Sequence, residues 1–213
     1  MNIKLLVSAM SFSCAAVGVA VPAAAAGPDW YLGANAGVTH YDASSSDLDS
    51  ALSSDGFTAS SSVDDSDTGY KLFLGYQFNQ NFAVEGGYVD LGKMSFSSTI
   101  TAPSAGTVSG DVKTKNGLFL DAVGTLPLGN NFSVFGRLGV YSIKTELTAS
   151  GSAGSVSSSD TGSDFHWGIG AGYDFTPNLG ARLEWERFNK VGNKDKTGEG
   201  DVDLASVGLV YRF

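Results

Sequence analysis

The stretch "DFHWGIGAGYDF", residues 164–175, alternates with a period of two over its whole length. Phe165, Trp167, Ile169, Ala171, Tyr173 and Phe175 fall on one face, and Asp164, His166, Gly168, Gly170, Gly172 and Asp174 on the other. Successive side chains of a strand point to opposite faces, so one face is entirely apolar or aromatic and the other is charged or bare. A strand with that contrast lies between two unlike environments.

The same period recovers eight strand segments, near 30–41, 68–78, 82–96, 110–126, 131–147, 163–175, 179–190 and 201–213. Helical periodicity is almost absent. An even number of antiparallel strands can close on itself with both ends on the same side, which removes the edges that would otherwise pair with other chains. The connections alternate in length. "NQN" (79–81), "PLGNN" (127–131) and "TPN" (176–178) are tight turns with Pro, Gly or Asn chemistry. The segments 42–67, 97–109, 148–162 and 191–200 read as longer loops rich in Ser, Gly, Asp and Thr. Short turns at one end and long loops at the other are the pattern of an outer-membrane barrel, and a soluble sandwich has no reason to adopt it. The expected fold is an all-β, eight-stranded, antiparallel up-and-down transmembrane barrel.

The facing of the strands follows from volume. Eight strands leave an interior barely wide enough for side chains, so the small and charged set is expected inside and the aromatic set outside, in lipid. Trp30, Tyr76, Phe78, Phe82, Phe132, Tyr173 and Phe175, with Tyr211 and Phe213, fall on the outward parity near the short-turn end. They read as an aromatic girdle at one bilayer interface.

"MNIK" followed by an uncharged stretch to "VPAAAA" reads as a signal peptide over residues 1–26, with cleavage expected between Ala26 and Gly27. Residues 27–213 are then one barrel domain. The only cysteine, Cys14, falls within the leader, so the exported domain is expected to carry no disulfide. That domain has 12 basic and 22 acidic residues, a net charge of −10, which argues against nucleic acid as a partner.

The pieces "WYLGANAG" (30–37), "GYQFNQNFAVEGGYVDLGK" (75–93), "FGRLG" (135–139), "GYDFTPNLGARLEWE" (172–186) and "VGLVYRF" (207–213) occur in the order found in the outer membrane protein A family, whose transmembrane domain this chain resembles. The resemblance implies an outer-membrane location and a barrel domain without the periplasmic peptidoglycan-binding domain of full-length members. It also implies that the last strand, with Leu209, Tyr211 and Phe213, is the signal read by the outer-membrane assembly machinery.

On the inward parity stand Lys71, Glu85, Asp121, Arg137, Asp174, Arg182, Glu184 and Glu186. Ionised groups at membrane depth are costly unless paired, so both signs on one parity point to a lumen charge network, assigned to Lys71, Glu85, Asp121, Arg137, Arg182 and Glu184. By the resemblance, Glu85, Arg137, Arg182 and Glu184 belong to the family's internal salt-bridge cluster. Where it places a second inward Lys and its Glu partner stand Val123 and Gly172, which favours a static plug over a partner-switching gate.

Other chemistry finds little footing. His40 and His166 lie on different strands without ligand spacing, so no metal or cofactor is expected. His40 with a rim serine is the only candidate for a lipid-modifying site, and no enzymatic role is expected. The first loop, 42–67, carries seven Asp and no basic residue and reads as a solvated loop. The spacing of Asp47, Asp49 and Asp55 does not fit an EF-hand. The expected role is that of a monomeric structural and surface protein, contacting outer-membrane lipids and lipopolysaccharide and offering its loops to a host or surface ligand. A narrow ion or solute channel is the alternative.

Overall fold

The computed structural model describes residues 29–42, 45–54, 58–102, 106–151, 154–193 and 198–213. The expected leader and its cleavage site, and Asp55 of the first loop, lie outside these residues. Among the described residues no helix is long and apolar enough to cross a membrane, and strands dominate. In chain order they are β1 (Asp29–Tyr41), β2 (Thr58–Asp64), β3 (Ser66–Asn79), β4 (Phe82–Asp90), β5 (Lys93–Ala102), β6 (Gly106–Gly129), β7 (Phe132–Gly151), β8 (Gly154–Asp174), β9 (Leu179–Asn193) and β10 (Gly198–Arg212). One helix, α1 (Ser45–Ser54), follows β1.

All pairings are antiparallel, and β1, β3, β4, β6, β7, β8, β9 and β10 form a closed ring of eight. The seam joins the first and last strands, from Tyr31 opposite Arg212 to Tyr41 opposite Val202. Beyond the ring, β2 and β5 continue β3 and β4 as a pair that hangs on β6. The break between β4 and β5 has a local cause. Gly92 takes φ +77°, Asp90 Oδ1 accepts its N–H at 2.8 Å, and Asp67 Oδ2 accepts the N–H of Lys93 at 2.8 Å.

The short turns are built as their residues suggest. Asn79 Oδ1 accepts the N–H groups of Asn81 and Phe82 at 2.8 and 3.0 Å. Asn130 and Asn131 both have positive φ, the conformation a two-residue hairpin turn with matching twist requires. Thr176 Oγ1 accepts the N–H of Leu179 at 2.9 Å.

The long connections differ from expectation. The segment 42–67 contains α1 and β2, and 97–109 and 148–162 are mostly strand. The ladder between β6 and β7 reaches Val108 opposite Gly151, and that between β7 and β8 reaches Gly151 opposite Gly154. Ladder hydrogen bonds join backbone groups, and Thr and Ser tolerate a pleated, water-facing surface, so a turn-like composition did not end the strands.

Parity is constant along β7, but its meaning reverses. On β7, Val134, Leu138 and Val140 face out while Arg137 is buried inside. Farther from the short turns, Tyr141, Ile143 and Thr145 are buried inside, with Ser142, Lys144 and Glu146 on the outer parity. On β4 the inward series runs Glu85, Gly87, Val89, and Leu91 lies just beyond the strand; on β10 Leu204 and Val202 follow Ser206 on the inside. The apolar exterior of β7 thus spans residues 132–140, in keeping with the roughly 9–11 residues a tilted strand needs to cross hydrocarbon. Aromatic rings mark both edges of this band: the expected girdle on one side, and Tyr70, Tyr88, Phe165, Trp167 and Trp185 on the other.

The interior is not the small and charged set alone. Tyr31, Phe73, Phe119, Phe135, Tyr141 and Phe188 are buried inside. The volume argument is met by placing rings on bare neighbours. Phe73 lies across from Gly33, where a Cβ would come within 2.1 Å of its ring, and Tyr31 lies across from Gly75, where the distance would be 2.2 Å.

Candidate functional site: the filled lumen

Seven ionised side chains from five strands meet at the level of the apolar band. Arg137 on β7 is central. Its Nη1 lies 3.0 Å from both Glu85 Oε2 and Asp121 Oδ2, and its Nη2 2.9 Å from Glu184 Oε1. Arg182 Nη1 reaches Glu85 Oε1 at 2.6 Å, and Lys71 Nζ reaches Glu186 Oε1 at 2.7 Å and Glu184 Oε2 at 3.8 Å. Tyr31 donates its hydroxyl to Glu85 Oε1 at 2.7 Å. All these side chains are shielded from solvent, Arg182 being the most open at 11%. Buried charges persist only when nearly every lone pair and proton is met, and this arrangement links each ion to a partner of opposite sign.

Rings line the remaining faces of the cations. The Arg182 guanidinium lies 4.9 Å from the Phe135 centroid and 5.3 Å from that of Tyr31, and Lys71 Nζ lies 4.6 Å from that of Phe119. Toward the short-turn end, Arg212 Nη1 pairs with Asp174 Oδ1 at 2.7 Å.

The six residues assigned to the network from sequence, Lys71, Glu85, Asp121, Arg137, Arg182 and Glu184, are all brought together. Glu186 and His166 join them. Both sat on the inward parity in the sequence, but their distance from the cluster across the ring was not legible there. His166 stands between two carboxylates, with Nε2 2.6 Å from Asp121 Oδ1 and Nδ1 3.7 Å from Glu186 Oε1. Its ring stacks on Phe188 at 4.6 Å and 9°. The cluster therefore holds three cations, four carboxylates and one imidazole. Asp121, His166 and Glu186 present ligand atoms within 4.8 Å of one another, the separation a metal could bridge. Lys71 and Arg137 already occupy those carboxylates, so a metal would have to displace a bound cation. Val123, expected as a gap in the family's gate, is buried beside the cluster.

Above the ions the filling changes character. Tyr141 packs edgewise on Phe188 and donates its hydroxyl to the Asn189 carbonyl. Tyr41, Val89, Leu91, Ile143, Val191, Val202 and Leu204 are all at most 7% exposed and close the lumen as an ordinary apolar core. Inward valines and leucines beyond the last outward apolar residue of each strand are the signal that could have revealed it.

The girdle residues stand outside at the short-turn end. Trp30, Phe78, Phe82, Phe132 and Phe175 are exposed, and Tyr76 and Tyr173 partly so. Their rings form pairs, Trp30 with Tyr76 at 4.9 Å and Phe132 with Tyr173 at 4.7 Å. Leu209, Tyr211 and Phe213 lie on the same outward face. At the opposite rim, His40 is open to solvent and 3.3 Å from Ser66 Oγ, and its Nε2 faces Asp65 at 3.4 Å.

Comparison with known proteins agrees with this architecture. The chain is 31% identical over 211 residues to outer membrane protein A of Yersinia pseudotuberculosis and, equally, to that of Salmonella typhi. Each match covers 97% of this chain and 55% of the relative, so the chain spans about half the length of the curated relatives it matches. Among solved structures, Ail, the attachment invasion locus protein of Yersinia pestis, is 18% identical, with 87% of this chain and 97% of that one covered and a TM-score of 0.48. The model of the OmpA-like transmembrane domain matches residues 25–213, and the chain belongs to that family of outer-membrane β-barrels.

Proposed function

We propose that this chain is a structural and surface protein of the outer membrane, with a lumen that is a filled support rather than an open pore. The observation that carries the reading is the double filling of the interior: an ion network at the level of the apolar band, and a dry apolar layer above it. An ion entering from outside would have to part Tyr41, Ile143, Phe188 and Leu204 before reaching a charge. On this reading the wall is a stiff cylinder that supports the envelope and lifts its loops clear of the lipid headgroups toward a surface or host ligand. The paired rings of the girdle anchor it against phospholipid at one interface, its outer rim meets lipopolysaccharide at the other, and the outward face of β10 is the strand offered to the assembly machinery. The unit is a monomer on this reading, since the ring of eight is closed and, among the described strands, only the short β2 outside it keeps a whole edge free.

Single-channel recording of the purified full chain in planar bilayers tests this. No steady conductance is expected. A stable open level that disappears in Arg182→Ala or Glu85→Ala would replace this reading with that of a narrow channel.

A further inference from the structure

The lumen opens outward, above the apolar layer, into a blind cavity of about 220 Å³ that the proposed role leaves unused. Its floor and walls are apolar: Tyr41 from β1, Met94 from β5, Val112 from β6 and Val191 from β9. Its rim is acidic. Asp42, Glu199 and Asp201 border it, and among the described residues no basic side chain does. Arg187 is held by both carboxylate oxygens of Asp203 at 2.7 Å, and Asp201 Oδ1 accepts the Lys190 backbone N–H at 3.0 Å, which leaves the second Asp201 oxygen for a ligand.

A second observation is independent of these charges. Thr114 and Thr145 are cross-strand partners on β6 and β7, and both border the cavity. The Thr114 hydroxyl is occupied, donating to the Gly92 carbonyl at 3.0 Å and accepting the Leu91 N–H at 3.1 Å. Thr145 is 1% exposed, and among the described residues its hydroxyl has no hydrogen-bond partner. A buried hydroxyl without a partner is costly to keep, and nearly all such groups in folded proteins are satisfied.

We propose that this cavity is a binding site for a small amphipathic monocation, a primary ammonium on a compact apolar body. The body lies against Met94, Val112 and Val191, the Thr145 hydroxyl accepts one ammonium proton, and Asp42 and Asp201 supply the opposing charge. Apolar walls with a few convergent polar groups are the usual make-up of a small-molecule site. The acidic rim excludes anions of the same shape.

The test uses the refolded full chain in detergent micelles, with the methionine methyls labelled and empty micelles as the partition reference. The probes are 2-phenylethylammonium, its neutral alcohol analogue and phenylacetate. A saturable shift of the Met94 methyl is expected with the ammonium, a weaker one with the alcohol by about tenfold, and none with the carboxylate. Affinity for the ammonium should fall about threefold when ionic strength rises from low to physiological. Asp42→Asn and Thr145→Val should each weaken it by about three- to tenfold, with heat-modifiable gel mobility unchanged to show that the barrel is intact. Equal shifts with all three probes, or full affinity in both variants, would overturn the proposal, as would a Met94 methyl that never responds.

Discussion

The two halves of this barrel use the same strands and opposite chemistry. At membrane level the wall is apolar outside and ionic inside; above it the wall is polar outside and apolar inside. Arg137 and Ile143 lie on one face of β7, six residues apart, yet one is met by four carboxylates and the other by an apolar core. The solvent outside decides which arrangement is stable. Lipid offers no hydrogen bonds, so polar groups gather in the lumen, whereas water rewards the arrangement of any soluble protein. The outer half is in effect the wall of a water-facing β-sheet protein continued from a membrane barrel.

Several substitutions would break or sharpen that contrast. The largest effect is expected from Arg137→Ala, which leaves Glu85, Asp121 and Glu184 short of a partner and should cost about 3–5 kcal/mol. Urea unfolding of the vesicle-inserted barrel reads this directly; a cost below about 1 kcal/mol would mean that water, not protein, solvates those carboxylates. The next test compares one face on two sides of the boundary. Leu138→Arg places a charge in lipid and should cost about 2–4 kcal/mol, whereas Ser142→Arg, four residues along the same face, should stay within about 0.5 kcal/mol. Equal costs would move the boundary.

In the outer core, Ile143→Val removes one buried methylene and should cost about 0.5–1.5 kcal/mol by the same urea measurement. An unchanged midpoint would show that this layer is loosely packed. The smallest effect concerns the water-facing side of the outer half. Hydrogen bonds from Lys115 and Lys144 hold the Glu146 carboxyl down to about 2, from an ordinary 4.5. A depressed acid favours the folded state above its unfolded value and loses that contribution as pH falls toward 2. The carboxyl carbon of Glu146 should therefore titrate near 2 by NMR and move upward in Lys115→Ala; a midpoint already near 4.5 would place this pair in free exchange with water.

Much of this was legible in the sequence. Alternation over 164–175 and its seven counterparts defined the ring, and parity put Lys71, Glu85, Asp121, Arg137, Arg182 and Glu184 on the inside, along with Asp174 and Glu186, while the resemblance singled out Glu85, Arg137, Arg182 and Glu184 as one cluster. The outer half was misread for a physical reason. Period two reports which residues share a face, but not which solvent each face meets or where along a strand that solvent changes. "VYSIKTEL" (140–147) alternates as regularly as 164–175, with the sense reversed. Serine- and glycine-rich segments were taken for loops because composition registers turn residues, while the ladder depends on backbone groups that composition does not record.

The facing rings and glycines of β1 and β3 carry a consequence for how the wall is assembled. Phe73 lies over Gly33, and two residues along, Tyr31 lies over Gly75, so each strand supplies one ring and one vacancy to its neighbour. Sliding the strands by two residues in one direction would set Phe73 directly against Tyr31, and in the other would set it against Asn35 while the two glycines faced one another. A misaligned hairpin is thus either blocked by colliding rings or left with a hole. The pair acts as a key cut on both strands, and drift at any one of the four positions is constrained by the other three.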